Sequence, residues 1–370
     1  MRRLGALLLA IAIALAGCGD DHPAAAPPAQ GPTTFRVMTQ NLYLGSDLDF
    51  VFSSGTTNLL EAVDQIWASV VATDFNARAK VLADGIQAAA PDTAGPDIIG
   101  LQEVSLWRTQ TPGDHLLVPN ATTVAYDFLD ILSRELAARG LSYRVVASHQ
   151  NGDIELPGTT GTDYRLTDRD VILAKESIPV TSTSSGTFPH LGTLELPNPI
   201  PGGPAIQATV PRGWVAAEFR SGGKTIRYLN THLEAFSADV ASQQVLDLLA
   251  VASPTTQPTI VAGDMNLPPG SAGYAQFVTP DTGLGDAWSA VHDGDAGLTC
   301  CWNPDLRSGA YDKRIDLVFS TREVRLTSAL VVNDTARTPG GLAPSDHAGV
   351  VVELTTAAPA AGAALASVGR

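Results

Sequence analysis

The sequence predicts an α/β protein built from two packed β-sheets flanked by helices. Three observations carry this expectation. Short apolar, β-branched runs alternate along the chain with helical patterns. Some runs are continuous, as in strands buried on both faces, and others alternate in polarity. Polar and ionisable residues collect at the ends of those runs, where α/β sheets bind ligands.

The first residues stand apart from that fold. Arg2 and Arg3 precede the apolar run LGALLLAIAIALA, which ends in Leu15-Ala16-Gly17-Cys18. A basic start, a short apolar stretch and small residues before a cleavage point make a secretory signal. The cysteine at that point resembles a bacterial lipobox, so residues 1–17 are expected to be removed and Cys18 lipidated. The apolar run is too short to span a membrane as a helix. Residues 18–34, rich in Pro and Ala, are expected to form a flexible tether, and 357–370 a disordered Ala-rich tail. One domain, 35–356, remains. The expected location is extracytoplasmic, as a membrane-anchored lipoprotein at the cell surface or in a periplasm.

Within the domain, FRVMTQN (35–41) places Phe35 and Val37 on one face of a strand. Residues 45–75 look like an insertion whose Leu59, Val63, Ile66, Trp67 and Val70 form an amphipathic stripe. Core packing is the expected role; a substrate lid or membrane-facing element is the sharper alternative. Ala79, Leu82, Ala83 and Ile86 predict a helix over 76–90, and DIIGLQE (97–103) a strand. Val124, Phe128, Leu132 and Leu136 predict a helix over 122–140, closed by Gly140. SYRVVAS, DVILAK, GWVAAEF, TIRYLNTH, PTIVAGD, RIDLVF and AGVVVEL follow as strands, with a helix at 238–250. Residues 184–211, dense in Pro, Gly and Thr, predict a long loop.

Net charge is −15 over 370 residues, and no Lys/Arg run occurs. That excludes the electrostatic footprint of tight, non-specific nucleic-acid binding. An acidic protein still acts on phosphates when a bound cation supplies the local charge. Of three cysteines, Cys18 is assigned to lipid. Cys300 and Cys301 are adjacent and are expected as free thiols, with a vicinal disulfide as the alternative. No cysteine spacing suits a metal.

The strand-end residues make chemical sense together. Asn41 ends the first strand, Gln102-Glu103 the second, and Asn230-Thr231-His232 a third. Asp264 and Asn266 follow PTIVAG, Arg314 and Asp316 lie in KRIDLVF, and Asp346-His347 precede the last strand. Each alone is explained by a cap or a turn. Six such groups at the ends of core strands are not. Glu103 and Asn41 are hard oxygen ligands suited to Mg²⁺. Histidines stabilise a phosphorane-like centre or move protons near neutral pH. Asp264 can take a proton from water, Asn266 can hold that water or a phosphate oxygen, and Asp316 can orient His347. No Gly-x-Ser-x-Gly, Walker-type loop or dinucleotide fingerprint suggests other chemistry.

The ordered series VMTQNLY, PDIIGLQEV, YLNTHLEA, IVAGDMN, KRIDLVF and SDHAGV strongly resembles the endonuclease/exonuclease/phosphatase superfamily, including its deoxyribonuclease and sphingomyelinase branches. The resemblance runs from Phe35 to about Leu354. It implies a four-layer αββα sandwich and metal-dependent phosphoester hydrolysis, with Mg²⁺, or Mn²⁺ or Ca²⁺, as cofactor. It makes Glu103 the principal metal ligand, with Asn41 on metal or phosphate and Asp346 beside the metal. Asp264 activates the water and Asn266 binds phosphate. His232 and His347 flank the scissile phosphate, with Asp316 behind His347. Arg314 and Lys175 are weaker phosphate-binding candidates, and Gln102 has a supporting role.

The substrate stays open. A secreted nuclease is disfavoured by the acidic charge. A sphingomyelinase-like lipid phosphodiesterase is favoured by THLEA and by the anchor. A phosphomonoesterase for small polyphosphates needs clustered Lys/Arg, which is missing. A non-catalytic binding protein on the same fold should lack Glu103, Asp264 or a histidine, and this chain keeps them all. The expected partners are a phosphodiester substrate (nucleic acid or phospholipid head group) and, through the anchor, a membrane; a monomer is expected.

Overall fold

The computed structural model describes residues 33–48, 51, 58–114, 116–198, 203–252 and 257–356. The signal at 1–17, Cys18, the tether up to residue 32 and the tail 357–370 lie outside the described residues. In chain order, β1 (Thr34–Asn41) is followed by α1 (Leu59–Ala72) and α2 (Phe75–Ala88). Next come β2 (Ile98–Gln102), β3 (Leu106–Gln110), β4 (Thr123–Asp127), α3 (Phe128–Ala138), β5 (Tyr143–Pro157) and β6 (Asp163–Lys175). The middle supplies β7 (Val180–Thr187), β8 (Gly192–Leu196), β9 (Ile206–Val210), β10 (Gly213–Ser221), β11 (Lys224–His232) and α4 (Ala238–Ala252). The last third supplies β12 (Thr259–Asp264), α5 (Ala272–Phe277), β13 (Leu284–Asp286), α6 (Ala287–Val291), β14 (Asp316–Thr321), β15 (Val324–Val332) and β16 (Gly349–Thr356).

Two large mixed sheets result. One runs β15-β16-β1-β2-β6-β3-β4, with β5 also paired to β6; the other runs β13-β14-β12-β11-β10-β7. Each has a parallel pair, β1 with β2 in the first and β11 with β12 in the second. The continuous apolar runs reflect burial on both faces. In β1, Val37 joins the core between the sheets, while Met38 faces the outer helices. Ile98 and Ile99 divide the same way, as the two-residue period of a strand requires. Leu82 and Ile86 of α2 and Leu132 of α3 cover the first sheet. Val245 and Leu248 of α4 and Phe277 of α5 cover Leu229, Val261 and Phe319 of the second. The layers are therefore helix, sheet, sheet, helix.

Three expectations change in detail. Residues 184–211 are not one loop: β7 extends to Thr187, and β8 and β9 pair as a hairpin from Gly192↔Val210 to Leu196↔Ile206. Pro and Gly crowd the flanks of TLEL and IQATV and leave the ladder itself free. The predicted helix at 122–140 begins later, because Thr123–Asp127 pairs with β3 and Asp127 then caps α3 by accepting from the backbone N–H of Leu129. Lastly, Cys300 and Cys301 are joined by a disulfide. The backbone N–H groups of Thr299 and Cys300 both donate to the Lys313 carbonyl, at 2.7 and 2.9 Å, and this anchors the loop where the two sulfurs meet. The stripe in 45–75 packs as expected: Leu59, Val63, Ile66 and Val70 of α1 join the core.

One buried cation ties the strand ends together. Arg78 of α2 donates to the carbonyls of Thr73 (2.8 Å), Leu42 (2.7 Å), Tyr43 (3.1 Å) and Pro344 (2.9 Å) and lies over the Phe75 ring. It thus clips the segment after β1 to the one before β16. At the opposite end of these antiparallel partners, Thr34 faces Thr355 and the Thr356 N–H donates to the Thr33 carbonyl.

Candidate active site

Both parallel pairs end on polar residues. Asn41 registers with Gln102, and His232 with Asp264. The sandwich therefore brings two carboxyl edges, one from each sheet, to a single place. The backbone there is unusual: Glu103 (φ 54°) and Asn266 (φ 50°), just beyond β2 and β12, are left-handed. Such positions are rare for residues with side chains and cluster at functional sites. Gly263 meets the opposite demand, since a Cβ there would strike the Thr231 carbonyl across the β11–β12 pair.

Hydrogen bonds fix the orientation of each group. The Tyr43 N–H donates to Asn41 Oδ1 (2.8 Å), so Asn41 Nδ2 must face inward. It donates to both Glu103 Oε1 and Asp264 Oδ2, each at 3.0 Å. The second oxygen of Glu103 accepts from the Leu44 N–H (2.6 Å). Asn266 donates its backbone N–H to Asp264 Oδ1 (3.1 Å) and its Nδ2 to the Leu233 carbonyl (3.0 Å). Gln102 lies behind, donating to Asn230 Oδ1 (2.6 Å) and Thr39 Oγ1 (3.0 Å) between the sheets.

The two histidines sit on either side of Asp264 Oδ2, each with Nε2 at 3.6 Å. Their states differ. Arg212 Nη1 lies 3.1 Å from His232 Nδ1, and a guanidinium can only donate. His232 Nδ1 must accept, so this ring is neutral and carries its proton on Nε2. Burial, Arg212 and His347 all hold its pKa well below the usual histidine value. His347 Nδ1 instead donates to Asp316 Oδ2 at 2.8 Å. Burial works against its charge, but Asp316, Asp264 and Asp346 outweigh burial and hold its pKa well above the usual value. Burial raises Asp264 to about 6, with His347 pulling down and Asp316 pushing up. Burial also raises Asp346 to about 7, His347 opposing and Glu103 adding.

Asn41, Glu103, His232, Asp264, Asn266, Asp316, Asp346 and His347 thus share one neighbourhood. Arg314 does not: it donates to Asp286 Oδ2 (2.8 Å) and Ser289 Oγ (3.1 Å). Asp286 caps α6 and captures the guanidinium with its remaining oxygen. Lys175 is likewise occupied by Asp97 (3.1 Å) and the Thr93 carbonyl (2.7 Å). Sequence reasoning missed Arg212, which precedes β10 and also lies 3.7 Å from Asp168. It missed Asp170 of β6 as well, a fully buried carboxyl raised by burial and by Asp168. The disulfide loop borders the cleft. Its Trp302 N–H donates to the Asp346 carbonyl (3.0 Å), and Thr299 accepts from Ala348 (2.7 Å), bracketing His347.

These residues fit a hard divalent cation. Glu103 and Asp346 are half-buried carboxyls, each pushed toward its neutral form by partial desolvation, and Glu103 further raises Asp346. Ligand atoms of Asp264, Asp316 and His347 also lie within 4.8 Å of one another. Oxygen-rich, mutually repelling donors are the set that Mg²⁺-like ions satisfy.

The sequence profile of the Endonuclease/Exonuclease/phosphatase family matches residues 38–347. No curated protein sequence matches the chain. Among solved structures, an endonuclease/exonuclease/phosphatase family protein from Bacteroides thetaiotaomicron superposes with a TM-score of 0.54 at 17% identity, covering 88% of this chain and 96% of that one. A mannosyl-6-phosphatase from the same organism gives 0.53 at 18%, covering 86% and 99%. A humanized D. rerio TDP2 gives 0.52 at 16%, covering 87% and 99%. At such identities the likeness concerns the fold, and the profile match over most of the chain supplies the rest: the chain belongs to the Endonuclease/Exonuclease/phosphatase family.

Proposed function

We propose that this protein is a divalent-metal-dependent phosphodiesterase, acting as a monomer outside the cytoplasm and tethered through lipid on Cys18. The observation that carries the chemistry is Asp264 between two imidazoles in opposite protonation states. The signal-like residues 1–17 and the lipobox-like Cys18 support the location.

Asp264, raised to about 6, is still mostly ionised at neutral pH and close enough to neutrality to accept a proton. It takes that proton from a water that attacks phosphorus in line, while the P–O bond to the alcohol on the far side breaks and the departing alkoxide takes a proton from solvent. Asn266, locked by Leu233, positions the water or a phosphate oxygen. His347, kept charged by Asp316, presents Nε2–H to a phosphoryl oxygen that gains negative charge. His232 offers its Nε2–H from the other side. Glu103 and Asp346 would hold the metal; Asn41, expected as a further ligand, instead turns its Nδ2 inward and orients Glu103 and Asp264. When bound there, the ion supplies positive charge beside the phosphate.

Bis-p-nitrophenyl phosphate, plasmid DNA, RNA and sphingomyelin vesicles, each with Mg²⁺, test this reading, with His347→Ala as control. Turnover of the synthetic diester that the variant loses supports the chemistry, and the natural substrate cleaved identifies the subtype. A flat panel would leave a binding protein on this fold.

A further inference from the structure

The cleft is followed by two further cavities in series. The cleft itself, about 580 Å³, is bounded by Glu103, His232, Asp264 and His347. Glu103, His232 and Arg212 also bound a second cavity of about 340 Å³, within the roughly 300–1,000 Å³ typical of small-molecule sites. Ala208, Val210 and Pro211, from β9 and the turn after it, make one wall; Ile154 of β5 and Leu166 of β6 make another. Arg212 approaches His232 at the cleft end, and Asn151, Asp153 and Asp168 of the β5–β6 hairpin also line this cavity. Farther in, Leu48, Ile154 and Leu166 are shared with a third cavity of about 50 Å³. That one is walled by apolar and aromatic side chains, among them Val63 and Ile66 of α1, Trp67, Trp107 and Tyr164.

Interiors are normally close-packed, and an unfilled apolar cavity costs stability in proportion to its volume. A packing fault would be sealed from the reacting centre. The second cavity shares Glu103, Arg212 and His232 with the cleft, the third adjoins the second, and the lining passes from mixed to apolar along that series. The occupant is therefore an extension of whatever binds at Glu103 and His232.

We propose that one alcohol of the substrate's phosphoester carries an apolar arm, alkyl or aromatic, which lies along this passage beneath α1. The inference rests on the phosphoesterase reading of the cleft and names the class of ester it takes. Each methylene buried there should strengthen binding by about fourfold.

Binding without hydrolysis separates this inference from the activity itself. Methyl-, hexyl- and phenylphosphonate are titrated into the full chain with Mg²⁺, following tryptophan emission from Trp67 and Trp107. The same titrations are run on Ala208→Phe, which fills the middle cavity at a half-buried position outside the catalytic group. Hexyl- or phenylphosphonate should bind at least tenfold more tightly than methylphosphonate and shift the emission, and Ala208→Phe should erase that advantage while keeping methylphosphonate affinity. Hexyl above phenyl identifies an alkyl arm; the reverse identifies an aromatic one. Equal affinities for all three, or an advantage untouched by Ala208→Phe, would overturn the proposal. Hydrolysis of bis-p-nitrophenyl phosphate, assayed separately, decides the activity and leaves the binding result intact.

Discussion

Asp316 reaches the chemistry only through His347, and the two should fail together. Asp316→Asn removes the nearest of the three carboxylates that together outweigh burial, and so lowers the ring's pKa. It should lower kcat by about two to three orders of magnitude, near the loss for His347→Ala, and the double variant should lose little more. Steady-state rates of the three variants test that coupling; additive losses would mean two independent roles. Glu103→Gln should abolish turnover with an unchanged melting curve in EDTA, and EDTA should silence the wild type until Mg²⁺ is restored. Residues at this scale were legible where the motif and the strand end coincide, as at Asp264 and His347. Arg212 was not, because its value comes from where the β9–β10 turn passes, which no local pattern records. Arg314 shared a motif with Asp316, yet the α6 cap at Asp286 claims it.

Elements stand or fall on a few anchored contacts. Arg78 donates to four carbonyls belonging to three segments. Arg78→Met leaves those buried acceptors unpaired and should cost about 3 kcal/mol or more. Arg78→Lys should not rescue it, since a point-charge ammonium lacks the planar fork. Chemical denaturation measures both. On the β5–β6 hairpin, Asp153 accepts from Arg165 at 2.8 and 2.6 Å. Burial alone would raise its pKa, but Arg165 and Thr167 hold it below the usual value. A depressed folded pKa contributes stability above the unfolded value, and that stability is lost as pH falls through the folded one. Asp153→Asn should therefore lower Tm at pH 7, with the gap closing below the ordinary carboxylate range of about 4. The same scale shows why β8 and β9 were hidden. Composition over 184–211 is dominated by flanking Pro and Gly, while each strand spans only five residues. Helices α2 and α4 were clear because their apolar period persists over several turns.

At the scale of the molecule, the candidate site belongs to neither sheet alone. Asn41 and Glu103 come from one, His232 and Asp264 from the other, and the core holding them together lies between. Leu82→Ala, remote from the cleft, should cost about 2–5 kcal/mol and shift thermal inactivation and loss of tertiary structure by the same amount. Two separated midpoints would show that the sheets part before they unfold. The layered architecture itself was readable from doubly buried strand runs; which strands share a sheet was not, because pairing is a long-range choice. Finally, Thr33 and Thr356 meet at the far end of β1 and β16, roughly 27 Å of extended chain from Asn41. On the proposed Cys18 anchoring, the chain would therefore be joined to its surface at the end of the sandwich away from the cleft.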